Sequence, residues 1–256
     1  MKNYILPLLS SIIFISCNND DSSSAKTTSL APSGALIKHE IHYTTTDVQL
    51  HLEYLYNTNE TVNSEIATLI QPGFNDDIKT NDYNYNANNQ IWKFGDNYRV
   101  IEYQFSNNLI INSSMLHISS GNTSTQNFTY NSNNQILKTE FFDNNNNLTI
   151  EVLFTYDLNG NILTEGILAP NGDSKSYIYE YDNYNNPMSA VFAYQEIQKV
   201  LGVSPNNKTK RTYNNNGTIT VFTAQYTYNS DGYPLTKTEY QNGTTLVEDT
   251  VYIYQP

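Results

Sequence analysis

From about residue 124 to its end the chain keeps returning to one phrase: a tyrosine, an Asn/Asp/Gly-rich turn, then a run of alternating β type. It reads Tyr130-Asn131-Ser132-Asn133-Asn134-Gln135-Ile136, Tyr156-Asp157-Leu158-Asn159-Gly160-Asn161-Ile162, Tyr181-Asp182-Asn183-Tyr184-Asn185-Asn186-Pro187 and Tyr228-Asn229-Ser230-Asp231-Gly232-Tyr233-Pro234. A unit repeated in this way is a hairpin that buries its apolar face only by stacking on its neighbours. The phrase therefore constrains architecture far more than chemistry.

Strand signals surround it. Ile37, His39, Ile41 and Tyr43 alternate with Lys38, Glu40 and His42, and Val48, Leu50, Leu52, Tyr54 and Tyr56 alternate again after the turn. Pairing Tyr43 with Val48 sets Glu40 opposite His51 and Lys38 opposite Glu53, so opposite charges meet on one face. Weaker signals lie near 66–71, 90–94, 98–105 and 109–118, and stronger ones at 126–130, 135–142, 148–156, 161–168, 174–181, 188–194 and 209–213. At the C-terminus Asn242-Gly243 is the pair preferred in a two-residue type I′ turn, which sets Lys237 opposite Glu248 and Tyr233 opposite Tyr252. Only Gln195 to Leu201, followed by Gly202, reads as a helix with a C-terminal glycine. The expected fold is all-β, an antiparallel meander of some fifteen strands in repeated hairpins, forming a strongly twisted or partly closed sheet.

The copy at Tyr156-Asp157-Leu158-Asn159-Gly160-Asn161-Ile162 resembles the YD repeat of RHS-type bacterial proteins. The resemblance covers residues 124–256 and implies a spiralling β-sheet. The long shells of that family enclose a toxin; this chain is too short for such an enclosure and has no recognisable cargo.

The N-terminus sets the address. Lys2 precedes an apolar run from Ile5 to Ile15 that is too short to cross a bilayer, and the pattern is that of a secretory signal. Cys17, the sole cysteine, has no disulfide partner. Phe14-Ile15-Ser16-Cys17 resembles the lipobox of bacterial lipoproteins, which implies acylation of Cys17 and a membrane anchor. Asn18-Asn19-Asp20-Asp21-Ser22-Ser23-Ser24 is similar to the acidic signal that sends some lipoproteins to the outer face of the outer membrane. The expected organisation is a signal peptide (1–16), a lipidated tether (17–34) and a β-repeat domain (35–256), held at the cell surface or on the periplasmic face.

Composition excludes several functions. A net charge of −12 with no basic stripe disfavours nucleic acid. Tyrosine occurs 22 times against 10 Phe and 1 Trp, which suits half-buried strand faces with wet hydroxyls. His39 and His42 are three apart in a strand, so they face opposite ways and form no metal pair. Asp82-Tyr83-Asn84-Tyr85-Asn86-Ala87 lacks the glycine and terminal glutamate of a calcium loop. An outer-membrane barrel is disfavoured because Lys38, Glu40, Lys237 and Glu239 interrupt any lipid-facing band. No cofactor is called for.

Two function classes remain. The first is a non-enzymatic surface lipoprotein, binding or structural, whose cross-strand row Tyr228, Tyr233 and Tyr252 meets a glycan or another envelope protein. The second is a polysaccharide hydrolase in which Glu165 and Glu180, diagonal on one face, act as acid and base or nucleophile. Carboxyls farther than about 10 Å apart, or on an open convex face, remove that reading.

Overall fold

The computed structural model describes residues 36–44, 47–192 and 195–255, so Cys17, the leader and the tether lie outside the described residues. Eight strands form the first half: β1 (Ile37–Thr44), β2 (Gln49–Tyr56), β3 (Val62–Ile70), β4 (Asp77–Tyr85), β5 (Ile91–Gly95), β6 (Arg99–Ser106), β7 (Leu109–His117) and β8 (Thr123–Tyr130). The second half has β9 (Ile136–Phe142), β10 (Leu148–Tyr156), β11 (Ile162–Leu168), β12 (Ser174–Asn185), β13 (Asn206–Asn215), β14 (Thr218–Tyr228), β15 (Pro234–Gln241) and β16 (Thr245–Tyr254). Two short helices, α1 (Met188–Val191) and α2 (Gln195–Leu201), fall between β12 and β13.

Each strand pairs antiparallel with the next, and β1 pairs with β16, so the meander closes into a barrel. The antiparallel meander is as expected, and full closure makes the expectation of a twisted or partly closed sheet more precise. Closure removes both edges, which would otherwise present unpaired backbone groups.

The tyrosine phrase is a device for turning at one rim. Tyr85 pairs with Ile91, Tyr130 with Ile136 and Tyr156 with Ile162, each with a bulge beside it. The Asx residue after the tyrosine caps the turn: Asp157 accepts from the amides of Asn159 and Asn161 at 2.9 and 2.8 Å, and Asn131 accepts likewise from Asn133 and Gln135. The fourth turn residue takes a left-handed φ, 57° at Asn134 and 83° at Gly160, which Asn and Gly tolerate. The tyrosine hydroxyl then reaches back one hairpin to a backbone carbonyl: Tyr56 to Ile37, Tyr85 to Val62, Tyr130 to Ile110, Tyr156 to Ile136, Tyr181 to Ile162 and Tyr254 to Pro234, at 2.6–2.8 Å.

Several local expectations shift. In the first hairpin Glu40 faces Leu52 and Ile41 faces His51, one residue off the charge-matched register. The bulge at Ile37/His39 turns Glu40 and His42 inward while Ile41 and Tyr43 face out. The polar segment around Asp82 is a strand, β4. The copy beginning at Tyr181 makes no tight turn, because β12 runs on to Asn185 and the helices follow. The expected helix at 195–201 is present, with Gly202 at φ 65° after it. The segment 188–194, read as a strand, begins instead with α1.

α1 and α2 enter the barrel from the rim that carries the tyrosine turns and plug its lumen. Met188, Val191, Phe192, Ile197 and Val203 join the buried core with inward residues of the wall, among them Tyr54, Tyr83 and Phe154. Gln198 ties the two helices by donating to the carbonyls of Ser189 and Phe192.

A two-chambered lumen as the candidate functional site

Because paired residues in a sheet point the same way, the register assigns each side chain to the lumen or the outer wall. Among the described residues, two cavities border the plug. One, of about 470 Å³, lies against β11–β16 and β1 and is rich in charge; the other, of about 360 Å³, lies against β3–β11 and is mainly aromatic and aliphatic.

The charged chamber is built on alternation. Glu165 of β11 faces Tyr177 of β12, and Tyr179 faces Arg211 of β13. Ala224 faces Glu239, Tyr226 faces Lys237, and Glu40 faces Tyr252. Ion pairs then run along the inside of the wall. Arg211 meets Glu239 at 3.1 Å, Lys237 meets Glu239 at 2.9 Å and Glu248 at 3.1 Å, and His42 meets Glu248 at 3.1 Å and Glu40 at 3.2 Å.

Burial sets the protonation states. It opposes charge on His42, yet the Glu40 carboxylate and hydrogen bonds to Glu248 and Glu40 carry the imidazole up to about 9. Burial pushes the Glu165 carboxyl up, against the Tyr179 hydroxyl that donates to it at 2.9 Å. Burial brings the Lys208 ammonium down to about 8 despite Glu165, and Lys208 lies 4.4 Å from the centre of the Tyr179 ring. The second oxygen of Glu165, Oε1, is buried and has no hydrogen-bond partner.

The aromatic chamber differs in kind. Tyr83 stacks on Phe94 at 5.5 Å and meets the edge of Phe192 at 5.8 Å, so the plug forms part of its wall. Its polar end carries Arg99, His117 and a Glu65 whose carboxyl burial pushes up.

The expected site residues are placed otherwise than as a row. Gln241 pairs with Thr245, and a bulge at Glu239/Tyr240 follows, so Lys237 faces Thr250 rather than Glu248. Tyr233 packs against Tyr254 at 6.1 Å between ring centres, not against Tyr252. Tyr228 stacks on Tyr184 at 4.0 Å and donates to Asp182. Tyr233 and Tyr252 are buried, so the three offer no exposed aromatic face, although Tyr252 lines the charged chamber. Glu165 and Glu180 are not on one face: Glu165 points into the lumen at 1% exposure, while Glu180 points out and binds Lys210 at 2.6 Å. The wall stands between them, and the proposed acid–base pair cannot act on one bond.

Glu40, Lys237 and Glu239, read as breaks in an outer band, face the lumen. Lys208 and Arg211 were not singled out. Parity held the clue, since Glu248 and Thr250 share the parity of Tyr252 and Tyr254 along β16, making the aromatic face and the charged face one. Outside, charged side chains recur at outward positions: Glu53, Asp82, Asp249, and the pairs Lys93–Glu102 and Lys138–Glu140, both at 2.9 Å.

The class of protein so defined is a closed antiparallel sixteen-strand barrel with a helical plug and an outer wall on which charged and apolar side chains are mixed. No protein-family model and no curated protein sequence matches the chain. Among solved structures it is similar to a porin-like protein from Bacteroides uniformis, at 14% identity and a TM-score of 0.65, over 88% of this chain and 99% of that one. A porin-like protein from Bacteroides vulgatus matches at 11% identity and a TM-score of 0.54, over 86% and 99%. At such identities the likeness is one of fold.

Proposed function

We propose that the protein is an exported, lipid-tethered barrel that stands in water at the outer membrane and acts by binding, without catalysis, a glycan or another envelope component. The observation that carries this reading is the outer wall. A membrane-spanning barrel presents an apolar band about 25 Å tall, and a lysine or arginine at its midplane costs about 2–4 kcal/mol. Here Lys93, Glu102, Lys138, Glu140 and Glu180 project from the wall. Exposed apolar residues such as Ile78, Leu116, Leu153 and Ile178 are interspersed among them.

The anchor is then Cys17, after the lipobox-like Phe14-Ile15-Ser16, with the acidic tether directing the barrel to the cell surface. The porin-like description of the two structural neighbours fits an envelope setting. The recurring tyrosine hairpins support kinship with YD-repeat proteins. Separation of Glu165 from Glu180 removes the one carboxylate pair that favoured hydrolysis.

The test is fractionation. Wild type should sediment with membranes, and Cys17→Ser should appear in the soluble fraction and remain monodisperse without detergent. Protease applied to intact cells should digest the wild type if the tether has sent it outside. A Cys17→Ser chain that stays with membranes, or needs detergent to remain in solution, would count against a water-facing tethered barrel.

A further inference from the structure

We infer that the charged chamber is a binding site for a neutral polyhydroxylated ligand, a pyranose unit of a sugar, held through the free oxygen of Glu165 and the hydroxyls of Tyr177 and Tyr252. This rests on the reading of the barrel as a binding protein and names the site and the ligand class.

Three observations converge. Glu165 is 1% exposed, its Oε2 is occupied by Tyr179, and its Oε1 is buried without a partner at the border of the 470 Å³ space. A buried polar atom is rarely left unmet, so its position marks where a donor belongs. Among the described residues the hydroxyls of Tyr177 and Tyr252 make no hydrogen bond, and both border the same space. Other tyrosine hydroxyls on the same walls are engaged, Tyr226 donating to the carbonyl of Lys208 at 3.0 Å and Tyr179 to Glu165.

Charge decides the class. Glu40, Glu165 and Glu239 line the chamber against Lys208, Arg211 and Lys237, while Lys210, also at its border, is taken by Glu180 outside. Three carboxylates balance three cations, so a net charge on the ligand would find no unmatched counter-charge. An ammonium approaching Glu165 meets Lys208 and Arg211, and a carboxylate approaching those cations meets Glu165 and Glu239. Hydroxyls, which both donate and accept, suit every group present. Tyr177, stacked on Tyr213 at 4.8 Å, joins Ile167 and Ala224 as apolar surface for a sugar ring, and the volume lies within the range of small-molecule pockets.

The experiment is titration calorimetry on the full chain, purified in a detergent without a sugar head group. The probes are D-glucose, D-galactose, D-mannose and N-acetyl-D-glucosamine, with putrescine and D-glucuronate as charged controls. At least one neutral sugar should bind saturably. Glu165→Gln should weaken it about tenfold, Tyr177→Phe about threefold, and the outward Glu180→Gln not at all. Should Glu165→Gln fail to fold, as judged by its circular dichroism and melting curve, Tyr177→Phe and Tyr252→Phe give the reading. Failure of every neutral sugar to bind, binding of the charged controls alone, or sugar binding unchanged in these variants overturns the inference. Membrane fractionation of Cys17→Ser is independent of this result, so the tether and the ligand site stand or fall separately.

Discussion

A single hydroxyl group repeats the same task around the barrel. Tyr85 donates to the carbonyl of Val62 on the neighbouring strand at 2.6 Å, and its counterparts do the same at other hairpins. Replacing it with Phe leaves the ring and orphans the carbonyl, so Tyr85→Phe should lower stability by about 1 kcal/mol. Tyr43→Phe, on the exposed wall, should change it by less than about 0.5 kcal/mol. Urea titration of the two variants checks the contrast. The tyrosines and their turns were legible in the sequence because Asx residues and glycine are demanded by backbone geometry. The hydroxyl's partner was not, since every residue carries a carbonyl and about twenty positions separate the two. Glu165 was legible as an acid on a strand, but not the side on which Glu180 would fall. That depended on pairing Glu165 with Tyr177, which gives the inward side to Tyr179 and the outward side to Glu180.

At the scale of elements the plug carries most of the information. Phe192 is 2% exposed and sits between the helices and Tyr83. Phe192→Ala should cost about 3–5 kcal/mol in a denaturant titration. It should also thin the partition beside the aromatic chamber, detectable as increased binding of an apolar dye. The helix at Gln195–Leu201 announced itself through helix formers and Gly202. α1 did not, because Met188-Ser189-Ala190-Val191-Phe192 is a short, mainly apolar run that periodicity cannot tell from a buried strand. A helix surrounded by the lumen wall has no wet face, so the 3.6-residue contrast that reveals surface helices is absent. The strands themselves were mostly visible, since short alternating runs between Asn-rich turns are local signals. Registers slipped where bulges intervened, as at Ile37/His39 and Glu239/Tyr240.

For the whole molecule, closure depends on the seam between β1 and β16. His42 lies there, between Glu40 and Glu248, with its imidazole raised from an ordinary 6.5 to about 9. A group raised in the folded state adds stability that is complete below its unfolded value and disappears as pH rises through the folded one. The barrel should therefore lose on the order of 2–3 kcal/mol between pH 6.5 and 9.5 from this residue, at about 1.4 kcal/mol per unit. His42→Gln should flatten melting temperature against pH across that window, with the steepest slope of the wild type midway between the two values, at about pH 7.7. Closure was not legible in the sequence. The pairs that make it, such as Glu40 with Tyr252, join opposite ends of the chain, and neither strand carries a local mark of its distant neighbour.

The same seam joins the two ends of the folded chain. Hairpins β2 to β12 can zip from neighbour to neighbour, and α1 and α2 leave the chain before the last four strands are laid down. The helices precede β13 to β16 along the chain, and the seam joins residues as far apart as His42 and Thr250, 208 positions distant. Pairing over such a separation carries a loop-closure cost that neighbouring hairpins do not, and a chain in which β1 and β16 are unpaired offers two bare edges to any other strand nearby. A chain whose last residues arrive late is therefore most exposed to mispairing just before it is finished.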